Sequence, residues 1–324
     1  MLGTCLAAGA GASFGAGLLY RNRLPRSRKQ GRSRVAILRV DSYSERLVEV
    51  LLDGLRLFSL DMRGKSVLLK PNLVDVVPGK VVTTHPMMVA AAVECFRRLG
   101  AKQVLIGEGP GHQRDTEHVL LESGMCQALR QTGIRFVDLN RDELVRVQME
   151  SNLTGLGHLW LPRSVLEADV IVSMPKIKTH HWAGVSLSMK NMFGIVPGMK
   201  YGWPKNLLHW RGIHESIVDI CSTMPIDLVI ADGVLAMEGN GPLHGDTRNL
   251  GVLVIGDDPV AADATITRLM GFSPERIRHL YWAGQFLGNL EADNIVHLGE
   301  QPTQPATPFK VAFESPFTAA QWVC

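Results

Sequence analysis

Paired cysteines are missing from this 324-residue chain: Cys5, Cys95, Cys126, Cys221 and Cys324 are scattered and never occur at C-x-x-C spacing. That excludes a self-contained zinc ribbon or ferredoxin-type cluster loop, so the chain carries no iron–sulfur cluster of its own. Cys95 and Cys221 fall in apolar helical patterns and read as small core residues. No G-x-S-x-G, P-loop, G-x-G-x-x-G or H-E-x-x-H occurs, which leaves no motif for a hydrolase elbow, a nucleotide or a helical zinc site. The histidines at 85, 112, 180, 181, 209 and 214 show no metal-ligand spacing that would point to a transition metal. Acids are absent before Asp41, whereas Arg21, Arg23, Arg26, Arg28, Lys29, Arg32 and Arg34 crowd that segment and carry most of the net charge of +3. The remainder is near neutral, so no basic surface for nucleic acid is supported.

What is present is an alternation of short β-branched runs with amphipathic stretches, the pattern of βα units. The runs are Val35–Val40, Ser66–Leu69, Gln103–Ile106, Ile134–Leu139, Asp169–Ser173, Asp227–Ala231, Gly251–Ile255 and Asn294–Leu298. Most are continuously apolar, which favours a parallel sheet covered on both faces. The expected fold is α/β: two lobes built on a mostly parallel, helix-covered sheet. The divisions expected are 1–34 as an apolar signal- or anchor-like segment with a basic linker, 35–150 and 151–300 as the two lobes, and 301–324 as a proline-rich tail. Residues 2–20 are uncharged and would span roughly 28 Å as a helix. Export to the periplasm by a twin-arginine-type route, or membrane attachment through 2–20, is expected, with a cytoplasmic location as the alternative.

Open α/β sheets bind ligands beyond the carboxyl ends of their strands. Five runs here lead directly into polar residues: Lys70-Pro71-Asn72, Gly107-Glu108, Lys176 to His181, Asp232-Gly233 and Asp257-Asp258. Lys70, Lys176, Lys178 and Lys190 with His85, His180 and His181 form a candidate cationic pocket. Lysines held together repel one another, so such a group suits a small anion, carboxylate or phosphate. Substrate-binding candidates are Lys70, Asn72, His85, Lys178, Asn191 and Asn240. Lys176 and Lys190 would orient the ligand, and His180 or Glu238 would move protons, making these four the catalytic candidates. Glu108, Asp232 and Asp258 are the carboxylates that could hold a divalent metal such as Mg²⁺. The plainer alternative is that lysines and carboxylates form structural ion pairs.

Three ordered blocks carry a resemblance. The first is Lys70-Pro71-Asn72, Thr84-His85-Pro86 and Gly107-Glu108; the second is Pro175 to His180 with Lys190-Asn191 and Gly194. The third is Asp232-Gly233, Glu238 to Pro242, and Asp258 to Ala261 with Asp263. Together they resemble domain-of-unknown-function family 362 over about 35–299. Many relatives carry ferredoxin-type modules and some begin with twin-arginine signals, and the family's architecture is distantly similar to nickel-dependent lactate racemase. With the lysine-rich pocket, the expected function is an enzyme on a small anion, and the resemblance implies isomerase- or racemase-like or oxidoreductase-linked chemistry for it. The alternative is an accessory subunit docking to a redox protein or complex through the irregular Trp182–Trp210 segment.

Overall fold

The computed structural model describes residues 31–111, 115–303 and 306–312. The apolar segment 2–20, His112, Cys5 and Cys324 lie outside the described residues. Twelve strands are assigned among the described residues: β1 (Ser33–Arg39), β2 (Ser66–Pro71), β3 (Gln103–Glu108), β4 (Phe136–Asp138), β5 (Leu144–Gln148), β6 (His158–Pro162), β7 (Val170–Met174), β8 (Lys176–His180), β9 (Gly184–Ser186), β10 (Leu228–Glu238), β11 (Asp246–Gly256) and β12 (Ile295–Gly299). Ten form one sheet in the order β12-β1-β11-β10-β7-β2-β3-β4, with β8 and β9 branching from β10. β5 and β6 form a separate ribbon, and residue 150 falls in the turn between them. Segments 35–150 and 151–300 alternate in the large sheet, since β1 lies between β12 and β11 while β7 pairs with β2.

The sheet is mostly parallel and helix-covered, as the apolar runs require. Neighbouring residues alternate between its faces. Leu68, Ile171, Val229 and Val254 pack on one side with the helices Ile213–Thr223 and Pro259–Leu269. Val67, Leu69, Val172, Ile230 and Ile255 pack on the other with the helices Leu47–Arg56 and Pro86–Arg98. Both Pro86 and Pro259 stand at first-turn positions, where a missing N–H costs nothing.

One strand departs from the expected direction. β11 runs antiparallel to both β10 and β1. The apolar cores of β10 and β11 look far enough apart for a crossover, but both strands extend to eleven residues, leaving only 239–245 between them. A parallel return needs a dozen or more residues, so this connection can make only a hairpin.

The reversal puts Asp257 and Asp258 at the opposite end of the sheet from the ends of β2, β3 and β7. There Asp258 caps the helix Pro259–Leu269: Oδ1 accepts from Val260 N at 2.8 Å and Ala261 N at 3.2 Å. Its Oδ2 accepts from Ser33 Oγ at 2.6 Å and Asn289 N at 2.8 Å, tying the cap to β1. Replacing Asp258 by Ala should cost about 2–3 kcal/mol, a lost cap plus stranded buried donors. Urea unfolding checks this, with a lower midpoint and an unchanged slope expected.

Candidate functional site

β2 and β3 are parallel neighbours in the register Leu69↔Ile106, so Lys70 and Glu108 both stand at their carboxyl ends, one register step apart. Lys70 Nζ donates to the Glu108 carboxylate, to Asn191 Oδ1 at 2.8 Å and to the Pro71 carbonyl at 2.9 Å. An ammonium has three donors, and all three are used. Glu108 also accepts from Gly109 N at 2.8 Å and Leu73 N at 3.2 Å. Burial pulls the Lys70 ammonium down and the Glu108 carboxylate pulls it back up. A β-carbon on Gly194 would overlap both groups, so only glycine lets that backbone close over the pair.

The short helix Ser188–Asn191 is held from two sides. Asp263 accepts from Ser188 N at 2.8 Å and Met189 N at 3.0 Å, while burial pushes its carboxyl up to about 7. Asn191 Nδ2 donates to the Lys70 carbonyl at 3.0 Å and Ser173 Oγ at 3.1 Å, and Asn72 Nδ2 donates to Asn191 Oδ1 at 3.2 Å. This clamp sets Lys190 on the wall of a cleft of about 170 Å³. Lys190 Nζ sits 3.9 Å from the Phe193 ring centroid and makes no hydrogen bond or ion pair among the described residues. Across the cleft, Lys205 donates to the carbonyls of Gly109 at 2.9 Å and Phe193 at 2.8 Å. Its backbone has φ 69°, a left-handed conformation costly for a side-chain-bearing residue and frequent where function fixes the geometry. Burial, then the charge of neighbouring lysines, lowers Lys190 to about 7. Lys205 is likewise lowered to about 7, chiefly by burial.

Histidines close the cleft. β8 places Lys176, Lys178 and His180 on one face, because alternate residues of a strand share a side. His180 Nδ1 accepts from Trp182 N at 3.1 Å and Ala183 N at 3.2 Å, so Nδ1 is unprotonated and Nε2 carries the proton. Burial and nearby Lys190 hold His180 well below the usual imidazole range, keeping it neutral. His181 Nδ1 faces the Gly241 carbonyl at 2.9 Å and must donate to it. His181, Trp182 and His209 follow in edge contacts around the rim.

A second cluster takes the other expected residues. Lys176 Nζ donates to Asp232 Oδ2 at 2.6 Å, Tyr43 Oη at 2.9 Å and the Leu235 carbonyl at 3.1 Å, so its donors are also all used. Tyr43 Oη donates to Asp232 Oδ1 at 2.7 Å, and its ring stacks on His85 at 3.7 Å. Asp232 lies mid-strand because β10 continues to Glu238. Lys178 lies between the two clusters and donates to the carbonyls of Val82 at 2.8 Å and Pro242 at 3.3 Å. Without a carboxylate partner, and with Lys190, Lys176 and Lys70 nearby, it is held well below the usual lysine range by burial.

Of the candidates, Lys70, Asn72, Glu108, His180, Lys190 and Asn191 line one cleft. Lys176 and His85 line a separate, more open one beside Asp232. Glu238 pairs with Arg248 at 3.5 Å and Lys310 at 3.7 Å, and Asn240 is exposed; both lie outside these two clefts. The metal expectation is corrected by this placement: Glu108, Asp232 and Asp258 sit in three different places. Among the described residues no group of three or more His, Cys, Asp or Glu side chains is arranged to hold an ion. Sequence reasoning missed Lys205 as a site residue, because a lysine among tryptophans carries no signal of the carbonyls that receive it.

The clamp residues fall within a recognised family region. A thylakoid-associated protein of Synechocystis sp. is 33% identical over 217 residues, which are 66% of this chain and 65% of that relative's length. Among solved structures, the lactate racemase apoprotein from Thermoanaerobacterium thermosaccharolyticum aligns with a TM-score of 0.42 at 16% identity, over 65% of this chain and 52% of its own. A Thermotoga maritima protein aligns at 0.34 and 15% identity, over 62% and 52% of the two chains. The chain thus spans about two thirds of the curated relative and about half of each of these structures. Residues 67–268 match the model described as Domain of unknown function (DUF362), and the chain belongs to that family.

Proposed function

We propose that the protein is an enzyme acting on a small anion, carboxylate or phosphate, bound in the cleft between Lys190 and Lys205. One observation carries this reading: Lys190 and Lys205 share a small pocket in which the one carboxylate among the described lining residues, Glu108, is already paired with Lys70. Two amines lowered to about 7 by burial and repulsion regain their protons when an anion sits between them. His180, with its proton on Nε2, is a neutral donor suited to a carbonyl or hydroxyl oxygen of the ligand.

A second reading has its own support. Trp182, Met199 and Trp210 are 49%, 70% and 80% exposed, and such large apolar groups suit docking to a redox protein or complex. No helix among the described residues is long and apolar enough to cross a membrane. Attachment or export through residues 2–20 stays part of the proposal, supported by the thylakoid association in the relative's name, with a cytoplasmic location as the alternative.

Thermal unfolding with phosphate, sulfate, and small hydroxy- and keto-acids, against uncharged analogues, tests the anion. At a hundredfold excess over its dissociation constant a true ligand adds about 2.7 kcal/mol. Lys190→Met should remove that gain yet leave the unliganded protein as stable as before, because it deletes repulsion rather than a bond. Lys176→Met should instead cost about 3–5 kcal/mol, since it leaves Asp232 buried and unpaired. If no anion shifts the wild type, the reading fails.

The pH dependence follows in sign. Lys190 and Lys205 bind protons less readily folded, at about 7, than at their ordinary 10.5 in the unfolded chain. Their combined contribution therefore makes the unliganded protein more stable as pH rises from 7 towards 10.5. Anion affinity, which needs the charged amines, should fall up to tenfold per pH unit for each coupled proton over the same range. Unfolding midpoints at several pH values, with and without sulfate, check both trends.

A further inference from the structure

Five lysines surround the two clusters, and four are bonded. Lys70 and Lys176 each make three hydrogen bonds, and Lys178 and Lys205 each make two to carbonyls. Lys190 makes none among the described residues, and its Nζ lies over the face of Phe193 at 3.9 Å. Its backbone is nevertheless fixed, by Asp263 at Ser188 and Met189 and by Asn191 at β2. A rigidly mounted amine with no acceptor among the described residues to hold its protons, on the wall of a cleft, has the placement of a nucleophile rather than of a structural charge.

Resting on the anion reading above, we propose that Lys190 forms an imine with the carbonyl carbon of its ligand, which is therefore an aldehyde or 2-oxo acid bearing a carboxylate or phosphate. The step balances without a further reactant. In the fraction of bound protein in which Lys190 is unprotonated and Lys205 holds the anionic group, the Nζ lone pair attacks the carbonyl carbon, and the C=O π pair moves to oxygen, which takes a proton. The carbinolamine then loses that oxygen as water, which carries away one of the two protons of the attacking nitrogen, and the nitrogen keeps the other, so the product is the protonated imine, C=NH⁺. His180, with Nε2 protonated and close enough to Lys190 to feel its charge, is placed to stabilise the oxygen as it becomes a hydroxyl. Lys205 has one donor beyond its two carbonyl bonds to give the anionic group. The resulting iminium draws electrons from the adjacent carbon, which is the use an isomerase or a carbon–carbon lyase makes of such a bond.

Reductive trapping tests this on the full chain. The probes are pyruvate, glyoxylate and pyridoxal 5′-phosphate with cyanoborohydride, read by intact mass and peptide mapping. Trapping adds the mass of the probe less one oxygen. At pH 7 a lysine titrating near 7 is half neutral, whereas an ordinary surface lysine is neutral roughly a thousandfold less often, so Lys190 should label well ahead of the exposed lysines. It should also label ahead of Lys205, whose amine is held by two carbonyls. Lys190→Arg keeps the charge and cannot form the imine: it should retain stabilisation by sulfate and lose the label. Labelling spread over exposed lysines with Lys190 no faster overturns the imine. If sulfate stabilises the wild type while Lys190 stays unlabelled by all three probes, the imine falls and the anion site stands. If Lys190 labels selectively while no anion stabilises the protein, the nucleophile stands and the anion reading falls.

Discussion

The buried pair between Lys70 and Glu108 sets the terms for the rest of the cleft. It joins the carboxyl ends of two neighbouring strands, both side chains being essentially inaccessible to solvent. A buried pair contributes little net stability over an apolar one, but breaking it leaves a stranded charge. Everything around it answers that constraint. Asn191 Oδ1 accepts one hydrogen bond from the lysine, the Pro71 carbonyl another, and backbone amides of Leu73 and Gly109 donate to the carboxylate. Gly194 is the residue that lets the roof of the cleft descend onto the pair.

Because Glu108 is paired with Lys70, its charge only partly offsets the burial of the amines facing it in the pocket. Lys190 and Lys205 are left in an apolar setting with a surplus of positive potential, and their protons are correspondingly weakly held. The Lys176–Asp232–Tyr43 cluster shows the contrasting solution, in which each lysine proton has an acceptor. Burial and the Asp232 carboxylate hold its Tyr43 hydroxyl protonated, well above the usual phenol range. The same residue type thus has every donor bonded at Lys176 and none bonded among the described residues at Lys190, and the difference lies in the acceptors supplied.

Much of this was legible from the residues. The apolar runs at Ser66–Leu69, Gln103–Ile106 and Asp169–Ser173 mark adjacent parallel strands, and the polar residues following the first two do line one cleft. Reading Asp232 and Asp258 into the same group failed for a geometric reason. A strand-end argument holds only where the strand ends and which way it runs are known, and the long β10–β11 hairpin defeats both: Asp232 is interior to β10, and β11 points the other way. The roles of Lys205 and of Asp263 as the clamp on Lys190 depend on backbone carbonyls and amides brought together from distant segments, which no local pattern announces.

The central claim is that the cleft receives an anion by taking up protons on its amines. Calorimetric titration at pH 8 with sulfate or lactate, in two buffers of different ionisation enthalpy, measures this directly, because neither ligand changes its own charge there or can form an imine. Amines near 7 are mostly neutral at that pH and must recharge on binding, so an uptake of roughly one to two protons per bound anion is predicted. Binding with no proton uptake, or no binding of either anion, would contradict the account.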